Sequence, residues 1–367
     1  MKKLMFALIV SFTYLSIPIN AQNQLKPEEG IAGLVKDGIV AGIVGGYSID
    51  GEVKLIINDG FSDMDQQIPF TGNTITRIAS IAKPMTAVAI MQLYEKGLLK
   101  LDDPIRKYLK DYPVSQQGEI TIRHLLTHTS GVKAYQSTKE MKSKKTYESL
   151  SDASAVFENR KLSFVPGTAY QYTTYGYVLL GRVIESVSGL SYNEYMEKNI
   201  WTKAAMSDTG VEIFDQTYEG KSALYKHHKG KIQLRDQNNL SNRTPGGGIQ
   251  STFYDLIKFG NALLNNELLK RSTFEMMLED PKIRKEGNGY GFGWFLYGVN
   301  PECGNVIGHS GHQNGASTQL MILPEINTVI VVLANTSGTW QQVVNTSVSF
   351  FKSAYQQSNQ SVEKTEE

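Results

Sequence analysis

Strand-like segments at both ends of the chain enclose a long helical middle, and this order restricts the fold more than any other feature. Residues 39–49 are mostly apolar, Asp50-Gly51 is a hairpin signal, and residues 53–57 begin a second strand. Four more strand-like segments occur at residues 291–297, 305–309, 317–323 and 328–334. The order predicts an α+β fold in which both chain ends build one antiparallel sheet, with flanking helices and an inserted helical subdomain.

The same pattern divides the chain into a sheet part and a helical part. The sheet part takes about residues 27–79 and 250–355, and the helical part about residues 80–249. A helix that is apolar on most faces covers Ile81–Lys96 and ends at Gly97, so we expect it in the interior. A terminal helix is predicted from Trp340 to Tyr355, and the polar residues 356–367 are expected to form a disordered tail.

The first 21 residues have the composition of a signal peptide. Two lysines follow Met1, an apolar run extends from Leu4 to Ile19, and Ala21 precedes the expected cleavage site. Ser, Thr and Pro interrupt the run, which is short for a permanent transmembrane helix, and an uncleaved anchor is the alternative. We therefore expect a domain over residues 22–355 that bacteria export to the periplasm or secrete.

Charge and cysteine content exclude several classes of function. The 37 basic and 36 acidic residues give a net charge of +1, so nothing favours nucleic acid as a partner. The single cysteine, Cys303, excludes an internal disulfide and any multi-cysteine metal site. His124 and His128 have the spacing of a zinc helix but lack the adjacent glutamate, and a metal site completed by His309 and His312 is the alternative. We expect neither a metal nor an organic cofactor.

Ser80-Ile81-Ala82-Lys83 opens the apolar helix with the spacing of a nucleophile and its base. Residues three apart share a helix face, so the Lys83 amine reaches the Ser80 hydroxyl. A serine nucleophile needs such a base, and burial lowers the pKa of a lysine enough to provide one. The start of a helix also offers backbone N–H groups to a developing oxyanion. An ordinary N-cap serine is the alternative, because the same spacing recurs at Ser130–Lys133, Ser349–Lys352 and Ser361–Lys364.

Two further segments carry groups suited to acyl transfer. Residues 166–177 contain four tyrosines within eight residues, among them Tyr172, and a tyrosine acts as a general base where cations lower its pKa. Aromatic packing is the alternative for these tyrosines. The segment Gly308-His309-Ser310-Gly311-His312 ends a strand, where small residues let a backbone edge approach a ligand. A backbone N–H there completes an oxyanion hole, and a tight turn is the alternative.

Taken in this order, the three features resemble the motifs of the serine β-lactamase and penicillin-binding-protein family. The chain is most similar to the class C β-lactamase-related branch, which includes D,D-carboxypeptidases, D-aminopeptidases, esterases and LACTB-type proteases. Supporting segments are Ile120–Gly131, Pro166–Thr168, Tyr177–Gly181, Gly246–Thr252 and Tyr290–Trp294. The resemblance implies a β-lactamase/transpeptidase-like fold and a two-step acyl transfer that needs no cofactor.

The resemblance also implies roles for single residues. Ser80 would be the nucleophile, Lys83 would help to activate it, and Tyr172 would act as base and then as acid toward the leaving group. His309-Ser310-Gly311 matches the Lys-Thr-Gly motif of the edge strand. The N–H groups of Ser80 and His312 would form the oxyanion hole.

Two positions depart from the family motifs. Thr174 stands where the Tyr-x-Asn motif has asparagine, so a shorter hydroxyl would face the lysine and loosen recognition of an amide. His309 replaces a lysine that helps to hold a substrate carboxylate, and its mostly neutral imidazole would attract a carboxylate more strongly as the pH falls. We therefore expect a serine hydrolase acting on small molecules, namely D-amino-acid or short peptides or esters. A β-lactamase and a non-catalytic penicillin- or peptidoglycan-binding protein are the alternatives.

Overall fold

The computed structural model describes residues 26–363, in which thirteen strands form three sheets. The strands are β1 (Gly42–Ile49), β2 (Glu52–Asp63), β3 (Ile68–Pro69), β4 (Thr76–Arg77), β5 (Gly210–Val211), β6 (Tyr225–His228), β7 (Lys231–Leu234), β8 (Ile249–Ser251), β9 (Phe295–Asn300), β10 (Gly304–Gln313), β11 (Ala316–Leu323), β12 (Thr328–Ala334) and β13 (Thr336–Ser337). The expected signal peptide, residues 1–21, lies outside the described residues.

Seven of these strands form the main sheet in the order β3-β2-β1-β12-β11-β10-β9, and neighbouring strands are antiparallel. β1 from the N-terminal end pairs along its length with β12 from the C-terminal end, with Ile43 opposite Ala334. The β1–β2 hairpin turns at Asp50 and Gly51, whose φ angles of 52° and 82° are both positive, as a type I′ turn requires. The prediction of an α+β fold with one antiparallel sheet from both chain ends is confirmed.

Helices cover both faces of this sheet. They are α1 (Pro27–Lys36), α2 (Ala82–Glu95), α3 (Ile122–Leu126), α4 (Thr138–Met141), α5 (Leu150–Ser154), α6 (Tyr175–Ser188), α7 (Tyr192–Met196), α8 (Thr244–Gly247), α9 (Phe253–Leu264), α10 (Arg271–Met277) and α11 (Trp340–Glu363). On one face Ile31 of α1 and Phe350 of α11 join a core with Val332. On the other face Phe259 of α9 packs in a core with Val331. Because β1 and β12 are covered on both faces, every residue of the two strands is buried.

The helical part is built around α2, which packs against α6 and α8. Residues 82–93 of α2 are all buried, as expected for a helix apolar on most faces. Between α2 and α6 the helices are shorter than the sequence suggests: Thr121, Ser137 and Ser149 cap helices of only four or five residues. Such side chains bond the backbone locally and favour caps and turns over helix interiors. The part also contains strands β5, β6, β7 and β8.

The terminal helix is longer than predicted. The expectation of a disordered tail from residue 356 is wrong as far as Glu363, where α11 ends. Tyr47 of β1 explains part of the difference, because its hydroxyl donates to Gln357 Oε1 over 2.7 Å and lies 3.1 Å from Ser353 Oγ. Among residues 26–363, no helix is both long and apolar enough to cross a membrane.

Candidate active site

Ser80, the predicted nucleophile, lies in the short helical turn that precedes α2. A 3₁₀ turn over Ala79–Ile81 leads directly into α2, so Ser80 and Lys83 lie on one face. Ala79 has a φ of 51°, a left-handed conformation that strains a non-glycine residue and that clusters at functional sites. Ser80 is half-buried and Lys83 is fully buried. The Lys83 Nζ lies 3.0 Å from the Ser80 Oγ, so the structure brings the predicted pair together.

The surroundings of Lys83 favour its neutral form. Its Nζ donates to the Gly246 carbonyl oxygen over 2.6 Å and to Thr174 Oγ1 over 3.4 Å. No carboxylate in the described part of the chain is paired with this amine to offset its burial. Burial, with the charge of Arg243, therefore lowers the pKa of Lys83 well below its ordinary value of 10.5. The amine can lose its proton and serve as a base.

Tyr172 joins this pair from the segment before α6. Its hydroxyl interacts with the side chain of Ser80, and the Lys83 Nζ lies 4.8 Å from the centre of its ring. Burial raises the pKa of Tyr172 well above 10.0. The condition for Tyr172 to act as a general base, a cation that lowers its pKa, is not met by Lys83, because burial also favours the neutral form of that amine. This arrangement suits the Tyr172 hydroxyl to donating a proton and the Lys83 amine to accepting one.

The segment His309–Gln313 forms an open edge of the main sheet beside the nucleophile. β10 pairs with β11 as far as Gln313, but its pairing with β9 ends at Gly308. A Cβ on Gly311 would lie only 2.5 Å from the Ile78 carbonyl oxygen, so the edge runs against the turn that precedes Ser80. The segment is thus extended strand, which excludes the tight turn considered above.

His309 does not have the role that its position in the motif implies. Its ring is fully buried, with Nδ1 2.7 Å from the Ser310 carbonyl oxygen and Nε2 3.1 Å from the Tyr290 hydroxyl. A carbonyl only accepts, so Nδ1 carries the proton and Nε2 accepts from Tyr290. Burial, with a contribution from Lys83, lowers the pKa of His309 well below 6.5. The expectation that this side chain attracts a carboxylate as the pH falls is wrong, because both ring nitrogens are engaged inside the protein.

The remaining predicted residues lie at the same place. Ser310 and His312 stand on the open edge on either side of Gly311, Ser310 buried and His312 exposed. Thr174 contacts Lys83, as the motif position implies for asparagine. The structure therefore places Ser80 and the seven other predicted site residues in one region, and the side chain of His309 lies in the interior.

Several residues that complete the site were not predicted to do so. Gly246 was noted only within a segment that supports the family resemblance, although its carbonyl is the nearest acceptor for Lys83. A Cβ on Gly246 would lie 2.6 Å from Thr174 Cγ2, so only glycine fits there. Tyr135 interacts with the side chain of Thr174, and the Tyr290 hydroxyl lies 3.1 Å from His309 Nε2. The supporting segments Gly246–Thr252 and Tyr290–Trp294 pointed to Gly246 and Tyr290 in the sequence, but not to their contacts.

The metal site considered from histidine spacing does not form. The Thr121 N–H donates to His124 Nδ1 over 3.2 Å, and the Thr173 N–H donates to His128 Nδ1 over 3.3 Å. Across residues 26–363, no group of three His, Cys, Asp or Glu side chains is arranged to hold a metal ion.

Known proteins have sequences similar to this one. The sequence matches the family described as Beta-lactamase over residues 29–347. It is 31% identical to penicillin-binding protein 4* of Bacillus subtilis (strain 168), over 78% of this chain and 66% of that protein. It is 28% identical to the human mitochondrial serine beta-lactamase-like protein LACTB, over 79% of this chain and 70% of that protein.

A solved structure extends the similarity to three dimensions. The D-stereospecific amidohydrolase from Streptomyces sp. superposes with a TM-score of 0.74 at 26% identity, covering 87% of this chain and 96% of that one. The resemblance drawn from the motifs is confirmed. The chain belongs to the β-lactamase family and has its β-lactamase/transpeptidase-like fold.

Proposed function

We propose that this chain is a serine hydrolase that works through an acyl-enzyme on Ser80. The observation that carries the proposal is the 3.0 Å approach of a fully buried lysine amine to the Ser80 hydroxyl. A buried amine without a paired carboxylate is otherwise unfavourable, and activation of a serine is the chemistry that such an amine supplies.

In the first step the Ser80 Oγ attacks the substrate carbonyl carbon. The neutral Lys83 amine has two N–H groups and one lone pair, which match two acceptors and one hydroxyl. Gly246 O and Thr174 Oγ1 take the N–H groups, and the lone pair accepts the Ser80 proton. The negative charge that develops on the carbonyl oxygen needs backbone donors, and the N–H groups of Ser80 and His312 are the candidates by position.

The leaving group then needs a proton. Tyr172 interacts with the side chain of Ser80, and its raised pKa keeps its hydroxyl protonated. It passes a proton to the departing amine or alcohol and is reprotonated from Lys83. Water then attacks the acyl carbon as Lys83 accepts its proton. The bond from the acyl carbon to Ser80 Oγ breaks, Lys83 returns the proton to that oxygen, and the acid leaves.

The substrate class that the site supports best is an ester or an amide of a small peptide. The Streptomyces relative is described as a D-stereospecific amidohydrolase, which makes D-amino-acid peptides a natural first choice. Efficient hydrolysis of β-lactams is less favoured, because His309 offers no cation at the position of the family lysine. Thr174 still contacts Lys83, which argues against a purely binding role.

The test is hydrolysis of p-nitrophenyl butyrate by the purified protein and by two variants. Ser80→Ala removes the nucleophile and should abolish hydrolysis. Ser349→Ala is the matched control, since Ser349 has the same Ser-x-x-Lys spacing but its hydroxyl bonds Thr346 O within α11. Equal rates in Ser80→Ala and the parent would reject the acyl-serine mechanism. Binding of penicillin with no turnover would support the alternative of a binding protein.

We also propose that residues 1–21 direct export and are removed. The support is the composition of this segment in the sequence. The mass of the mature protein, recovered from a bacterial host after fractionation, tests this. A mass that begins at Gln22 supports cleavage, whereas an intact Met1 in the membrane fraction would support an anchor.

A further inference from the structure

His128 lies at the centre of the aromatic cluster behind the catalytic residues. It is fully buried, and its ring centre is 4.3 Å from that of Tyr172, 4.6 Å from Tyr290 and 5.3 Å from Tyr177. The mechanism described above gives this imidazole no role.

His128 holds the backbone on both sides of Tyr172. The Gln171 N–H donates to the His128 carbonyl oxygen over 2.9 Å, and the Thr173 N–H donates to His128 Nδ1 over 3.3 Å. The two residues that flank Tyr172 are therefore bound to one residue, whose ring also packs on the tyrosine. An N–H can donate only to an unprotonated nitrogen, so the proton of the neutral ring is on Nε2.

The residues that follow His128 bind the backbone of the segment that leads to Tyr172. The Gly167 N–H donates to the Thr129 carbonyl oxygen and the Ser163 N–H to that of Gly131, both over 2.8 Å. His128 itself has a φ of 58°, a left-handed conformation that is uncommon for a non-glycine residue. Strain of this kind persists where the surrounding structure fixes it. Here the hydrogen bonds from Gln171 and Thr173 fix His128.

A contribution to the stability of the fold does not by itself explain the His128 imidazole. Its Nε2 is buried and has no hydrogen-bond partner among residues 26–363. A buried N–H without a partner is unfavourable, and such exceptions in folded proteins call for an explanation. Burial, with Lys83 and His309, lowers the pKa of His128 well below 6.5, which keeps Nδ1 free to accept from Thr173.

We propose that His128 is a positioning residue that fixes the Tyr172 hydroxyl for proton transfer to the leaving group, in its neutral form protonated on Nε2. The inference rests on the proposed function, because it assigns Tyr172 the proton-donating step. The proposal also predicts an effect that a packing role alone would not give. Loss of His128 should impair a reaction more strongly when its leaving group needs a proton.

The kinetic test compares two esters of one acid in the parent, His128→Gly and His128→Asn. p-Nitrophenolate leaves without protonation, whereas the ethoxide of ethyl butyrate needs a proton. Glycine keeps the carbonyl acceptor and accepts a positive φ, but it lacks the imidazole. Asparagine tolerates the same φ, and its Oδ1 replaces Nδ1 as the acceptor for Thr173. Because kcat/KM reports acylation, that constant is the quantity to compare.

We expect His128→Gly to lower kcat/KM for ethyl butyrate at least about tenfold more than for p-nitrophenyl butyrate, within the range of general acid catalysis. His128→Asn should recover most of that difference. Adding Tyr172→Phe should remove the effect of His128→Gly, since the two act as a unit. Equal losses on both esters, or no loss, would overturn the proposal. Loss of all activity in Ser80→Ala tests the proposed function separately.

A second measurement does not depend on activity or on the stability of a variant. The ¹⁵N shifts of the parent protein with labelled histidine report the protonation of each ring nitrogen. We expect His128 to be neutral and protonated on Nε2 throughout pH 6–8, a range set around the ordinary histidine pKa of about 6.5. A ring protonated on Nδ1, or a charged ring, would overturn the proposal whatever the kinetics show.

Discussion

Gly311→Ala offers a direct test of how closely the open edge approaches the nucleophile. The added Cβ would lie 2.5 Å from the Ile78 carbonyl oxygen, 2.2 Å from Thr318 Oγ1 and 3.0 Å from Ala79 Cβ. The buried Thr318 hydroxyl donates to this same Ile78 carbonyl oxygen over 3.1 Å, and the carbonyl belongs to the backbone, so neither group can move aside on its own. Ordinary van der Waals contact begins at 3.4 Å, so the open edge and the turn that precedes Ser80 must separate by about 0.9 Å. Gly311 has no positive φ, so the substitution adds this clash and no backbone strain.

A misplacement of about 1 Å near reacting groups lowers a rate roughly 100-fold, and we expect a loss of this size in kcat/KM for p-nitrophenyl butyrate. Gly33→Ala in α1 is the matched control, because nothing lies within 4 Å of its added Cβ. Both variants should keep cooperative unfolding, which is followed by circular dichroism. A folded Gly311→Ala protein with the activity of the parent would refute the placement of the edge against Ser80.

Two further predictions concern buried charge. Lys83 must be neutral to act, so kcat/KM should fall as the pH drops through its lowered pKa and stay level above it, and Lys83→Arg should be inactive at every pH because a guanidinium keeps its proton. A pH–rate profile without an acidic limb would contradict this. Glu212→Gln leaves the fully buried Arg77 without its partner at 2.5 Å and should lower the free energy of unfolding by about 3–5 kcal/mol in urea titration. The exposed pair Arg271–Glu275 is the control, where Glu275→Gln should change stability by less than about 1 kcal/mol.

The sheet could be predicted from the sequence because its determinants are local. The turn at Asp50-Gly51 and the apolar runs of β1 and β12 each carry their own signal, and the order of segments then leaves few ways to pair them. The end of α11 could not be predicted in this way. Residues after Tyr355 are polar, and Gln357 is held by Tyr47, which lies more than three hundred positions earlier in the chain.

The same distinction between local determinants and contacts of distant residues applies to the site. Ser80 and Lys83 share a helix face, so their contact follows from spacing alone. Tyr172 and the edge strand were located only through their resemblance to family motifs, because nothing local connects them to Ser80. The state of each group was harder to predict than its position. The pKa shifts of Tyr172 and His309 are opposite to what a cation beside a tyrosine, or an imidazole beside a carboxylate, would give.

Burial explains why the site holds both a base and an acid. Desolvation always favours the neutral form, so it lowers the pKa of the Lys83 amine and raises that of the Tyr172 phenol. One environment thus prepares a proton acceptor and a proton donor within reach of the same hydroxyl. A carboxylate in contact with Lys83 would reverse this, because it would stabilise the ammonium and remove the base. The acceptors that Lys83 does have, Gly246 O and Thr174 Oγ1, orient the amine without adding a charge. The absence of an acidic partner for Lys83 among the described residues is therefore as necessary to the proposed mechanism as the serine itself.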